Sequence, residues 1–552
     1  MAEQTPEMEG LEGIPSPDGT VQLIETEYEV GQDNVEGTVG PFGFDIHNPV
    51  FLISGATIVA FVFYTLALPE QSGALFGWLF GAVTKGFDWF FLGAANIFVL
   101  FCLVLIVTPW GSVRLGGTEA VPDYSYIGWF AMLFAAGMGI GLMFYGVSEP
   151  MSHFSSAMAG VTEENGVRTD WAPLGGAAGD ADAAVRLGMA ATIFHWGLHP
   201  WAIYAVVALS LALFTYNKGL PLTIRSAFYP IFGDAVWGWA GHVIDILAVF
   251  ATLFGLATSL GFGATQANAG LNELFGLPIG STTEVILISA ITAVALVSVM
   301  RGLDGGVKVL SEINMGLAFL LLLFVLLVGP TVYLIQLFFG SLVAYLEYLP
   351  ALSNPIGRED TNFSQGWTAF YWAWWISWSP FVGMFIARVS RGRTVREFVI
   401  CVLLIPSLVC VLWMSVFGGT ALHQVITDGY TEAQDAALEL KLFKMLDVMP
   451  LAGITSLVGI ILVVVFFVTS SDSGSLVIDT ITAGGKIDAP VPQRAFWCIF
   501  EGAVAIVLLL SVGGLQSLQS MVISTGLPFT IVLLLMCFAI AKGLSSERQA
   551  MK

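Results

Sequence analysis

Charge is scarce in this chain: only 11% of its 552 residues are Asp, Glu, Lys or Arg, against 56% hydrophobic residues. Soluble globular domains carry about a quarter charged residues, so this composition excludes a soluble multidomain protein and leaves one that lives in a lipid bilayer. Basic charge is scarcer still. Twenty Lys and Arg stand against forty-one Asp and Glu, a formal charge of −21, and that balance excludes nucleic acid as a partner. The five cysteines, Cys102, Cys401, Cys410, Cys498 and Cys537, fall in or beside apolar runs at unrelated spacings, which excludes a disulfide framework or a thiolate metal site. No nucleophile elbow, phosphate loop, paired-carboxylate motif or dinucleotide glycine fingerprint occurs, so neither enzyme chemistry nor an organic cofactor is expected.

The chain does have long apolar runs. Stretches of roughly 20 residues or more, enough to cross a bilayer, lie near 49–68, 88–110, 126–147, 187–215, 238–270, 284–301, 311–345, 366–387, 397–420, 453–477, 495–515 and 520–541. They predict an all-α integral membrane protein with about twelve transmembrane helices and both termini on one side. Fourteen of the twenty Lys and Arg, including Arg114, Lys218, Arg225, Arg388, Arg391, Arg393, Arg396 and Lys486, fall in one alternate set of loops. The positive-inside rule then expects both termini in the cytoplasm, with the protein in the cell's inner (plasma) membrane. Residues 1–48 contain eleven acids and no Lys or Arg and read as a disordered cytoplasmic tail. Two helices over 49–110 follow, then five-helix units over 126–345 and 366–541, and a short cytoplasmic end over 542–552.

Two five-span units in tandem have a consequence. An odd-numbered unit repeated enters the membrane in opposite orientation, so a 5+5 inverted repeat is expected. Its first span is broken by Gly137-Met138-Gly139-Ile140-Gly141 and closes with Ser148-Glu149-Pro150. Each glycine weakens a helix by about 1 kcal/mol, and unwound backbone survives at membrane depth only where protein or a wet cavity satisfies it. The third spans of the two units are polar: Thr252, Thr258, Ser259, Thr265, Gln266 and Asn268 in one, Thr469 to Ser473 and Ser475 in the other. Buried polar residues mark ion pathways. The hydroxyls of Thr469 and Ser470, with carbonyls freed at the glycine break, suit a hard cation such as sodium; back-bonding to the preceding turn is their competing use.

Aromatic residues are concentrated as well. Trp372, Trp374, Trp375 and Trp378 share one span, and indole faces hold quaternary ammonium groups through their ring quadrupoles, whereas bulk alone needs only Leu or Phe. Span four adds Trp196, Trp201 and Tyr204; with Trp375 these form a candidate four-walled cage for a methylated cation. His195 and His199 stand four apart but lack a third ligand in the sequence, which argues against a metal site.

These motifs resemble those of the betaine/carnitine/choline transporter family: Gly137 to Gly141 with its Ala-Ala lead-in and Ser-Glu-Pro exit, His195 to Tyr204, Trp372 to Arg396, and Phe466 to Ser475. The likeness runs from about Phe44 to Lys542. The resemblance implies a leucine-transporter-like fold, a homotrimer, and alternating-access transport of trimethylammonium solutes. It assigns Trp196, Trp201, Tyr204 and Trp375 to an aromatic box, Trp374 and Trp378 to auxiliary contacts, and Gly137, Gly139 and Gly141 to the substrate-facing backbone. For sodium as coupling ion it assigns the backbone oxygens of Ala135 and Met138 together with Phe466, Thr469 and Ser470. A second sodium near Thr252 lacks its usual second hydroxyl, because Leu256 stands one turn later.

Two departures narrow the substrate. Choline-carrying relatives have Asp at the last glycine of the run; Gly141 offers no counter-charge, which favours a zwitterion such as glycine betaine, an osmoprotective compatible solute. Sodium-independent exchangers of carnitine-like compounds carry a basic residue in span five. None lies between His242 and Leu271, so sodium-coupled symport is the expectation and exchange the alternative. Only ten residues follow Lys542, so activation through a long basic C-terminal segment is not expected.

Overall fold

The computed structural model describes residues 16–552 apart from 166, 169–170 and 302–303. Helices α1 (Val50–Ala67) and α2 (Pro69–Val107) lead into the first unit. That unit contains α3 (Tyr126–Gly137) with α4 (Ile140–Ala159), α5 (Ala181–Trp196) with α6 (Leu198–Ala212), α7 (Trp239–Phe275), α8 (Ser281–Arg301) and α9 (Asp304–Val328). After a connecting helix α10 (Thr331–Leu352), the second unit follows as α11 (Ala369–Arg388), α12 (Val395–Ile426), α13 (Ala452–Thr482), α14 (Val491–Leu510) and α15 (Leu515–Ala550). Among the described residues eleven helical spans are long and apolar enough to cross a bilayer, and the α3–α4 pair, bent by 66°, makes a twelfth.

The span expected over 311–345 is two helices. Pro330 has no N–H to continue α9 and disfavours helical geometry in the residue before it, so α9 stops at Val328 and α10 starts at Thr331. Two bonds fix the course of α10: Arg186 reaches Glu347, and Tyr345 OH accepts from Leu198 N–H. By length and composition α10 is among the eleven spans and α11 is not, because its Trp and Tyr residues make it less apolar than its neighbours.

Burial separates a core from a periphery. The α5–α6 span is 94% buried within the protein, against 22–39% for α1, α2, α8, α9 and α10, whose remaining apolar surface suits lipid. The third helices of the two units, α7 and α13, lie against each other, and Gly474 makes room there: a Cβ on it would meet Leu256 Cδ1 at 2.3 Å.

The acidic stretch expected to be disordered is ordered over residues 16–48; residues 1–15 lie outside the described residues. Strands β1 (Asn34–Val39) and β2 (Phe42–His47) form a hairpin, and the acids are matched by basic loops. Asp18 pairs with Arg391, Glu36 and Asp45 pair with Lys486, and Tyr28 stacks on Trp237 at 4.1 Å. Net charge signalled disorder, but the counter-charges stand hundreds of residues away in sequence. The C-terminus is likewise no free tail: α15 runs to Ala550, and buried Glu547 pairs with Lys218.

Candidate functional site

The first unit's entry span breaks where the sequence places glycines. α3 ends at Gly137, Met138 is extended (φ −91°, ψ 134°), Gly139 is fully extended (φ −176°, ψ −174°), and α4 restarts at Ile140. The three glycines serve different ends. A Cβ at Gly137 would make ordinary contact with Trp201 and Pro406 at 3.4 and 3.5 Å. At Gly139 a Cβ would meet nothing within 4 Å, since this backbone borders open space. Gly141 is wedged: a Cβ would lie 2.9 Å from Cη2 of both Trp196 and Trp374. No side chain, Asp included, fits there unless an indole moves.

Span four breaks too, at Gly197 between α5 and α6. That turn brings Trp196 on one side and Trp201 and Tyr204 on the other around Trp375 of α11. Ring centroids lie 5.2 Å (Trp196–Trp375), 5.2 Å (Tyr204–Trp375), 6.1 Å (Trp201–Trp375) and 5.3 Å (Trp201–Tyr204), mostly edge to face. Every indole that faces the site is tied down: Trp375 Nε1 donates to His195 O, Trp374 Nε1 to Ser259 Oγ, Trp378 Nε1 to Gly255 O, and Trp196 Nε1 to Glu149 Oε2 at 2.7 Å.

These walls border a cavity lined by the 136–142 backbone, Trp196, Tyr204, Ser259, Trp374, Trp375, Trp378 and Val382. Trp201 backs the box without lining the cavity. None of the lining residues is acidic or basic. On one side Tyr145 seals the cavity, packed among Trp196, Phe262, Trp367, Tyr371 and Trp374 at centroid distances of 5.3–6.3 Å. On the other side Met138, Gly139, Trp378 and Val382 also border a second, larger cavity, which extends along Ser311, Met315, Phe381 and Phe385. That chamber lies toward the beginning of α9 and the end of α11, the end of the bundle where Asp18 meets Arg391.

With this geometry in view, comparison with known proteins decides the family. The profile of the betaine/carnitine/choline family transporter matches residues 49–549. The chain belongs to that family. It is 68% identical to a glycine betaine/proline/choline transporter of Vibrio parahaemolyticus, with 97% of each chain covered. It is 56% identical to glycine betaine transporter 1 of the same organism, over 95% of this chain and 98% of that one. A glycine betaine transporter of Bacillus subtilis, OpuD, is 45% identical over 85% and 89%.

The residues assigned to an ion in this transporter converge. Ala135, Met138, Phe466, Thr469 and Ser470 all line the second cavity. Their two hydroxyls and three backbone carbonyls would make an all-oxygen donor set of the kind a hard cation takes. The Thr469 hydroxyl donates back to Val465 O at 3.0 Å, which leaves its lone pairs for a cation. Thr252 is elsewhere: it donates to Ala248 O, lines neither cavity, and the place one turn on is filled by Leu256 against Gly474.

The two span-four histidines diverge. His199 bonds Asn96 at 2.9 Å and stacks on Trp372, while His195 turns to Glu149 and, with His153, forms a buried cluster around it. That cluster is the part sequence reasoning passed over. The signal was the acid of the Ser148-Glu149-Pro150 exit, a carboxylate inside a membrane span.

Proposed function

We propose that this transporter moves glycine betaine or a similar zwitterionic compatible solute in symport with sodium, as a homotrimer in the plasma membrane with both termini in the cytoplasm. One observation carries the reading: a cavity walled by Trp196, Tyr204 and Trp375, with no charged group among its lining residues. Aromatic faces there would take the trimethylammonium group, while a carboxylate would approach the extended backbone at Gly139, which borders open space. A zwitterion fits an uncharged box, because it brings both of its own charges. The names of the Vibrio and Bacillus relatives support betaine transport.

Sodium enters through shared backbone. Ala135 and Met138, whose carbonyls would bind the ion, belong to the same unwound stretch whose other face lines the solute cavity. An ion there would brace that stretch and favour solute binding, and the solute would favour the ion by the same factor. With the Tyr145 side sealed and the chamber toward the termini-bearing end open, the arrangement fits the inward-facing stage of an alternating-access cycle.

The test is binding to the purified full chain of glycine betaine, choline, proline and carnitine, with and without sodium. We expect betaine to bind at least about fivefold tighter with sodium, the lower end of ordinary coupling between sites. Equal affinity in sodium-free buffer, together with betaine exchange in sodium-free vesicles, would overturn symport.

A further inference from the structure

We propose that Glu149 sets the charge preference of the aromatic box by acting through the Trp196 indole, without touching the solute. The inference rests on the betaine reading above. Glu149 is fully buried on α4, and both of its carboxylate oxygens are in use. Oε2 accepts from Trp196 Nε1 at 2.7 Å and from the Tyr371 hydroxyl. Oε1 accepts from His195 Nδ1 at 2.6 Å and His153 Nε2 at 3.1 Å.

Donor and acceptor rules assign the protons. An indole N–H can only donate, so Oε2 is an acceptor. His153 Nδ1 has no partner; a doubly protonated ring would bury an unpaired N–H, so His153 is neutral with its proton on Nε2. With the Thr368 hydroxyl donating to His195 Nε2, 3.0 Å away, the His195 proton sits on Nδ1. Four donors thus converge on an ionised carboxylate, and one net negative charge stands directly behind an indole that walls the cavity.

That placement acts on solutes unequally. Donating its N–H to a carboxylate enriches the Trp196 ring in electron density, and the ring meets a quaternary ammonium through its negative face. A net cation such as choline feels the Glu149 charge in full. A zwitterion carries an opposite charge a few ångströms away, and the two contributions largely cancel. Glu149 therefore supplies at one remove the counter-charge that the wedged Gly141 cannot, and it lets a box with no lining carboxylate accept cations beside zwitterions.

The test is Glu149→Gln in the full chain. The amide oxygen can still accept from Trp196 and Tyr371, and its NH₂ can donate to His195 once that ring moves its proton to Nε2 beside Thr368, so three of the four bonds are kept and the charge is lost. In saturating sodium, isothermal titration should show the choline Kd rising about tenfold, as expected for removing one weakly screened charge, while the betaine Kd rises less than about threefold. Trp196→Phe, which removes the indole N–H but leaves the carboxylate charge, should tilt the same ratio part of the way, and adding E149Q to it should tilt it further. An equal change for both solutes, or none, overturns the proposal and leaves the betaine reading standing; wild-type protein that binds neither solute overturns that reading itself. If E149Q does not elute as a single monodisperse species, Trp196→Phe decides alone, and an unchanged choline-to-betaine ratio sinks the idea.

Discussion

Alanine at Gly139 and at Gly141 should have opposite effects, although the two positions are neighbours on one broken segment. At Gly139 the extended backbone suits any residue and a Cβ would touch nothing within 4 Å. The protein without solute should therefore melt at the same temperature or higher, since Gly→Ala at a compatible site stabilises by about 0.4–1 kcal/mol through the unfolded chain. The new methyl, however, projects into the space the solute needs. Overfilling a close-packed site costs about 1–3 kcal/mol, which at 1.4 kcal/mol per decade predicts a KM for betaine raised roughly five- to hundredfold. At Gly141 the methyl lands 2.9 Å from two indole carbons, and both rings are held, Trp196 by Glu149 and Trp374 by Ser259 at 3.1 Å. One must swing, so G141A should lose about 1–3 kcal/mol of stability and melt lower before any solute is added. Melting in detergent and uptake of labelled betaine into vesicles read the two effects separately. Wild-type KM in G139A would refute the claim that solute approaches this backbone, and wild-type melting of G141A would refute the wedge.

Trp375→Leu should raise the betaine KM about thirtyfold, from loss of a desolvated cation–π contact of about 2 kcal/mol, with expression retained; an unchanged KM removes Trp375 from the box. Thr469→Ala should shift the sodium dependence of uptake several-fold to higher concentration, because one of five donor oxygens disappears while the helix gains a better former; a sodium curve that stays put excludes that hydroxyl. Docking of residues 16–48 should weaken with acid. Burial and the Arg225 guanidinium hold the docked His47 imidazole down at about 3, against an ordinary 6.5 when released. Protons therefore bind the released form first, so docking is strongest above pH 6.5 and is lost progressively as pH falls toward 3. Limited proteolysis of the segment across that range checks it, and pH-independent cleavage would refute it.

The sequence made the box legible because its chemistry is rare. Four Trp in one span and three aromatics beside a broken helix have few uses in lipid, and the structure brings Trp196, Trp201, Tyr204 and Trp375 together. The break at Gly137 to Gly141 was legible for the same reason. Hydropathy alone misled at 311–345, where two apolar helices abut with only Gly329-Pro330 between them, and apolarity does not report direction. Residues 16–48 were misread because net charge is a local count while ion pairing is not: Asp45 meets Lys486 across most of the chain. Glu149 was passed over because its partners, His195, Trp196 and Tyr371, come from two other spans, and spacing along one chain cannot show a convergence in space.

Residues 16–48 also act as counterions for the end of the bundle toward which the larger cavity extends. Lys486 is held protonated above its ordinary range by its bond to Asp45, with Glu36 beside it, and Arg391 takes Asp18 as one of its partners. Cut away, the segment would leave Lys486 without Glu36 and Asp45, and Arg391 with Asp123 alone. Positive potential concentrates anions, so an anionic group on a departing solute would linger at that end of the bundle. A chain shortened at this end would be a carrier with a stickier exit, its turnover newly dependent on salt.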